Sequence, residues 1–326
     1  MKLPHRRQFL HLAAGAAALP AVSRFAWAQA YPTRPVRVVV GFPPGGVSDL
    51  SARLIGQWLS ERLGQQFIVE NRPGAGGALS TDTVAKAAPD GYTIALNGSN
   101  DAWNVSLYDN LNFSYLRDIV PVAGVLRGAG VIVVQPSSPL KTVADLITNA
   151  KANPGKISIG SGGVGSASHV FLELFKAMAG VDIVHVPYRG EAPALTDLLG
   201  GQLQAVIPTL PPAIEYIKAG RLRALAVTAA TRLEALPDTP TIADTVPSYE
   251  GSFWIGIGAP RNTPTEIIDR LNREINAGLA DTRIKQRLAE LGVAGFAISP
   301  NDFGKFIVEF TDKWGKVIRA ANIKPE

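Results

Sequence analysis

The feature that most constrains this chain is a recurring unit: a run of branched apolar residues, a glycine-rich loop, then an amphipathic stretch. The first copy starts with Val36-Arg37-Val38-Val39-Val40, passes through Gly41 to Gly46 and continues to Leu63. There Leu50, Leu54, Ile55, Trp58 and Leu59 form one apolar stripe, and Gly64 supplies a stop. A second apolar run at 67–70 leads through another glycine-rich turn to a helix expected over 78–87, and Pro89-Asp90-Gly91 turns the chain into a strand at 92–96. Thr142 and Asp145 form a capping box ahead of a helix over 143–152, which Asn153-Pro154-Gly155 breaks before a strand at 156–160. Strands at 182–186, 203–207 and 222–227 alternate with helices over 167–179, 193–199 and 212–219. Both faces of such a sheet are apolar and need a helical layer, so the pattern predicts an α/β protein built on parallel sheets.

The rhythm changes after Gly258-Ala259-Pro260. Thr263 reads as an N-cap with Pro264 at N1 and Glu266 at N3, and Ile267, Ile268, Leu271, Ile275 and Leu279 supply a buried stripe. A second helix over 282–291 follows, and Ser299-Pro300-Asn301-Asp302 opens a third. With no long linker before them, these helices are expected to pack on the body of the protein.

The first 30 residues are of another kind. Lys2, Arg6, Arg7 and Arg24 are basic, no acid is present, 10–22 is rich in alanine and leucine, and Ala28-Gln29-Ala30 is a small-x-small site. These are the marks of an export signal over 1–30, and the paired Arg6-Arg7 ahead of Gln8-Phe9-Leu10 resembles a twin-arginine signal. The formal charge of +5 belongs mostly to this leader. Without its four basic residues, 28 of the 32 remain against 27 acids, which is poor support for a nucleic-acid partner. No later run is long enough to span a membrane, so a product in the periplasm that is not membrane-embedded is expected.

Several chemistries are disfavoured by what the chain contains. It has no cysteine, which excludes disulfides, thiolate metal sites and a thiol nucleophile. Beyond the leader the histidines are His169 and His185, with no recognised ligand spacing, so no metal site is expected. Gly160, Gly162 and Gly165 make a literal G-x-G-x-x-G, but the next strand ends in Val186-Pro187 where a dinucleotide site would place an acid, so no cofactor is expected either.

Four segments remain as candidate ligand contacts. Phe42, Pro44, Gly45, Gly46 and Ser48 lie between the first strand and its helix, where free amides can meet an anionic oxygen, and Asp49 caps or contacts through water. Gly76 and Gly77 follow Asn71-Arg72-Pro73 in the equivalent position after the second strand. Ser161, Gly162 and Ser166 offer hydroxyls and an amide, with His169 one turn into the next helix either orienting this loop or touching ligand. Tyr188 and Arg189 follow a later strand and either close over an acid or support the surface. Trp103, Trp254 and Tyr249 are aromatic wall candidates whose default role is core packing.

Taken in order, FPPGGVSDLSARL (42–54), ENRPGAGG (70–77), APDGYTI (88–94), GSGGVGSASH (160–169), PYRGEAPALTDLLGGQLQAV (187–206) and AGRLRALAVT (219–228) resemble the Bug (Bordetella uptake gene) family of extracytoplasmic solute receptors. These are related to the receptors of tripartite tricarboxylate transporters. The resemblance covers about 31–326. It implies a two-lobed periplasmic binding-protein fold of the type II, Venus-flytrap kind, with lobe 1 from 31–131 and 252–326 and lobe 2 from 132–251. It also implies a small carboxylated solute held in the cleft by loop amides, hydroxyls and water, then presented to a membrane permease. A ligand-gated signalling partner is the alternative, and a hydrolase or isomerase using His169 and a serine is a weaker one. Two departures bear on ligand identity: Ile207-Pro208-Thr209 stands where many relatives carry an aspartate, and Asp101-Ala102-Trp103-Asn104 replaces a loop of small residues.

Overall fold

The computed structural model describes residues 31–108 and 110–324, so the leader lies outside the described residues. Two sheets organise the chain. The first has the order β11-β4-β10-β3-β1-β2, formed by β1 (Val36–Val40), β2 (Phe67–Asn71), β3 (Thr93–Gly98), β4 (Ile119–Ala129), β10 (Ser252–Pro260) and β11 (Ala294–Gly295). The second has the order β7-β6-β8-β5-β9, formed by β5 (Val131–Val134), β6 (Ser158–Ser161), β7 (Val184–Pro187), β8 (Ala205–Val206) and β9 (Arg223–Val227). Each sheet with its helices is one lobe of a two-lobed α/β fold. Val131, assigned by the sequence to the first lobe, begins β5 of the second.

The expectation of parallel sheets needs correction, because both are mixed. β1 pairs in parallel with β2 and β3, and β6 with β7 and β8, through helical crossovers. β10, which brings the chain back to the first lobe, runs antiparallel to β3 and β4, and β5, the first strand of the second lobe, runs antiparallel to β8 and β9.

In the first lobe the helices are α1 (Val47–Leu63), α2 (Ala78–Ala85), α3 (Ser99–Leu107) and α4 (Tyr115–Asp118). In the second they are α5 (Val143–Ala152), α6 (Ala167–Ala179), α7 (Glu191–Leu199) and α8 (Leu210–Lys218). The tail, α9 (Thr265–Ala280), α10 (Thr282–Glu290) and α11 (Pro300–Ala320), returns to the first lobe. Its α9 is tied to α1 by the Trp58 Nε1–H donating to Glu274 O at 2.8 Å. Its α11 lays Phe303, Phe306, Phe310 and Trp314 among Trp103 of α3, Trp254 of β10 and Phe296, in ring contacts 5.1–6.5 Å between centroids. Thr263 does not cap α9. Its hydroxyl donates to Pro260 O, and Pro264 is the capping position.

The two passages between lobes are stitched together at Thr228. Its Oγ1 accepts from Gly130 N–H at 2.7 Å and donates to Gly251 O at 2.5 Å, while its N–H donates to Gly130 O and Gly251 N–H donates to its carbonyl. Next to this seam Phe171 of α6 meets Trp103 of α3 edge to face at 6.1 Å, which makes the apolar core continuous from one lobe to the other.

Candidate functional site

Strands β1, β3, β6, β7 and β8 all end on the same side, facing the gap between the sheets, and a helix starts from each. The gap narrows to a cavity of about 60 Å³, lined from the first lobe by Phe42, Pro43, Gly46, Val47, Ser48, Ser99, Asn100 and Trp103, with Phe253, Trp254 and Ile255 of β10. From the second lobe come Gly162, Ser166, Ala167, Gly190, Glu191 and Thr209. Carboxyl ends of strands are where open α/β sheets hold ligands. β10 reaches the cavity because its antiparallel course sets Ile255 opposite Gly98 at the end of β3.

The first turns of α1, α3, α6, α7 and α8, or the residues that cap them, are therefore in the wall. Each helix start carries unpaired N–H groups and the positive end of a dipole. Among the described residues the lining has no lysine or arginine, and Glu191 is its one ionisable side chain. Positive potential in the cavity thus comes from backbone, supplemented by the hydroxyls of Ser48, Ser99 and Ser166 and the amide of Asn100. Two further donors are conspicuous: among the described residues the indole Nε1–H groups of Trp103 and Trp254 are buried without a hydrogen-bond partner, and both residues belong to the cavity wall.

Of the residues singled out by sequence, Phe42, Gly46, Ser48, Gly162 and Ser166 line this cavity, as do the aromatic wall candidates Trp103 and Trp254. Pro44 and Gly45 are exposed on the outer side of their loop. Asp49 faces away from the cavity. It pairs with Arg53 at 2.9 Å and accepts from Gly45 N–H and Asn71 Nδ2, which secures the loop from behind. Burial raises the Asp49 pKa, but these hydrogen bonds outweigh it and hold the carboxyl below its ordinary value. Gly77 lies under Gly41, whose Cβ would stand 2.6 Å from Gly77 Cα, and a Cβ on Gly77 would stand 2.6 Å from Nδ2 of Asn100 in the cavity wall. Gly76 meets the other lobe directly: a Cβ on it would stand 3.0 Å from Gly165 Cα and 3.2 Å from Val164 O. Its carbonyl accepts from the side-chain amides of Asn100 and Asn104.

The remaining candidates form the underside of the loop after β6. Ser161 is fully buried, with Oγ 2.6 Å from His185 Nε2. His169 stacks on His185 at 4.7 Å, and its Nδ1 accepts from Gly165 N–H at 3.3 Å. Burial, and then the neighbouring His185, depress the His169 pKa to about 3. Ligand atoms of His169, Glu173 and His185 lie within 4.8 Å of one another, a grouping of metal-binding composition that linear spacing did not reveal. The Gly165 hydrogen bond keeps the lone pair of neutral His169 on Nδ1 and its proton on Nε2, the reverse of what metal ligation through Nε2 requires. Tyr188 donates to Asp197 at 2.7 Å and Arg189 is exposed, neither on the cavity wall. Tyr249 is a core residue donating to Phe171 O.

Sequence reading missed Ser99, Asn100 and Glu191 as lining residues, and noted Thr209 only as a departure bearing on ligand identity. The first two begin α3, and the Asp101-to-Asn104 segment noted as a departure from the family loop forms its first turns, closed by Asp101, which accepts from Gly98 N–H and Thr81 Oγ1. Burial lifts the Asp101 pKa to about 6 despite those bonds. Asking which residues open a helix after each strand would have found both pairs.

The family model described as "Tripartite tricarboxylate transporter family receptor" matches residues 51–323. The protein BugT of Bordetella pertussis is 37% identical over 300 residues, covering 91% of this chain and 92% of that one. Among solved structures, Rpa4515 of R. palustris, described with adipate, superposes with a TM-score of 0.87 at 39% identity, covering 91% of this chain and all of the other. MatC of Rhodopseudomonas palustris, described with bound malate, superposes with a TM-score of 0.83 at 29% identity, covering 88% of this chain and all of the other. Matches of this extent, on a fold whose cavity lies between two lobes, establish that the chain belongs to the tripartite tricarboxylate transporter family receptors, the periplasmic solute-binding proteins that include the Bug group.

Proposed function

We propose that this receptor captures a small carboxylated solute between its lobes and presents it to a membrane permease. The observation that carries the reading is the convergence of five helix starts from both lobes on a cavity without basic side chains. An anion there completes hydrogen bonds that the backbone otherwise leaves open. Each bond to a charged carboxylate contributes roughly 1.5–3 kcal/mol, so a few suffice for tight binding without an arginine clamp. Adipate in Rpa4515 and malate in MatC support the class of solute. The donors come from opposite lobes, so only the closed form assembles them all, and the solute drives closure by binding that form more strongly. Isothermal titration against mono-, di- and tricarboxylates, with scattering in the presence and absence of the best one, tests this. Saturable one-to-one binding with a smaller radius of gyration is expected, and no binding to any carboxylate overturns the reading.

The competing hydrolytic reading requires a serine and histidine that reach the solute. The close pair is Ser161 with His185, but Ser161 is fully buried and is not part of the cavity wall, which favours capture without chemistry. Bound solute is expected to be recovered unchanged after prolonged incubation.

A further inference from the structure

Glu191 stands out in a cavity otherwise suited to anions. It opens α7 and is 8% exposed, and its stem faces Gly162 of the loop after β6. Both carboxylate oxygens are held by one residue: Oε1 accepts from Thr209 N–H at 2.7 Å, and Oε2 lies 2.6 Å from Thr209 Oγ1. Ser168 of α6 adds a further side-chain hydrogen bond. Thr209 itself lines the cavity. The groups packed around Glu191 are uncharged, as are Phe42, Ser48, Asn100 and Trp254 across the cavity. Arg189, two residues earlier, is exposed, and no charged neighbour contributes to Glu191's titration. His169 and His185 lie under the loop after β6, outside the cavity wall.

This arrangement has two states that differ by one proton. With Glu191 ionised, the Thr209 hydroxyl must donate to Oε2, so only its lone pairs are left for the cavity and a solute carboxylate is repelled twice. With a proton on Oε2, that O–H donates to Thr209 Oγ1 instead. The Thr209 hydroxyl is then released to donate to the solute, and Thr209 N–H continues to hold Oε1. Building on the carboxylate reading above, we infer that Glu191 is a specificity-determining residue which takes up one proton from solvent as a solute carboxylate enters, turning Thr209 from acceptor into donor. Burial places the Glu191 pKa at about 7, so that proton is available near neutrality.

Titration calorimetry with adipate and with malate, in buffer pairs of different ionisation enthalpy, counts the protons directly. The wild type is expected to take up close to one proton per solute near pH 8 and progressively fewer below about pH 7, with affinity falling about tenfold per pH unit above that point. Glu191→Gln is expected to abolish the uptake and the slope. Thr209→Val is expected to lose at least about tenfold in affinity near pH 6, where the released hydroxyl matters most. Solute binding with no proton uptake in the wild type, or an unchanged slope in Glu191→Gln, overturns the inference while leaving the receptor reading intact. The wild-type proton count decides even if a variant misfolds. Failure of adipate, malate and every other carboxylate to bind overturns both.

Discussion

At His169 a single side chain shows how burial becomes a pH dependence. The ring is 1% exposed, and its folded-state pKa of about 3 lies below the 6.5 of an unperturbed histidine. Between those values the unfolded chain binds a proton that the native protein does not, so stability present above about pH 6.5 is lost as pH falls toward 3. The full difference is on the order of 5 kcal/mol. His169→Gln, which keeps an acceptor for Gly165 N–H, is expected to flatten the urea-unfolding free energy across that window. Glu191 and Asp101 carry the opposite sign. Their raised pKa values, about 7 and about 6, favour the native state at the acid end of their range and withdraw that support as pH rises through them. Sequence could place His169 one turn into α6 beside a glycine loop. It could not show the stack on His185, because that contact depends on β7 lying beside β6. Nor could it show that Glu191 and Thr209 share one bond pair, since they belong to different strand–helix units.

Among the elements, α5 and α6 start with the same kind of cap but to different effect. Thr142 accepts from Asp145 N–H at 3.0 Å, far from the cavity, whereas Ser166 accepts from His169 N–H, donates to Gly163 O at 2.6 Å and forms part of the cavity wall. Thr142→Ala and Ser166→Ala are each expected to cost about 1–2 kcal/mol in denaturant unfolding. Only Ser166→Ala is expected to weaken solute binding as well, by calorimetry. The ends of these helices were legible because capping chemistry is local. β4 was not, because Pro121, Gly124 and Gly128 interrupt its apolar run, and it forms a strand through long-range pairing, along its length with β10 and at Leu126 and Arg127 with β11. The role of β10 depends on its direction, which the alternation of strands and helices does not encode. The supposed cap at Thr263 failed because the neighbouring Pro260 carbonyl captured its hydroxyl.

For the molecule as a whole, the legible part was the layering: short apolar runs alternating with amphipathic stretches left few options other than helices covering sheets. The division into two lobes rested on resemblance, since no linker composition marks Gly130 or Gly251. Closure is tested where the lobes touch. Gly76 and Gly165 approach backbone to backbone, both with positive φ. Gly76→Ala is expected to hold the cleft ajar, so that solute no longer shrinks the scattering envelope and affinity drops at least about tenfold, beyond the ~1–2 kcal/mol of local strain. Gly155→Ala serves as control, because Gly155 has φ of 66° but no neighbour from the other lobe. It should cost stability and leave binding unchanged. The position of Trp103 and Trp254 has a practical corollary. Each indole packs in the aromatic cluster of α11 and each residue belongs to the cavity wall, so its emission is expected to change when a solute enters. The protein thus carries its own optical gauge, and the arrival, residence and departure of a guest can be timed by stopped-flow fluorescence without attaching a dye.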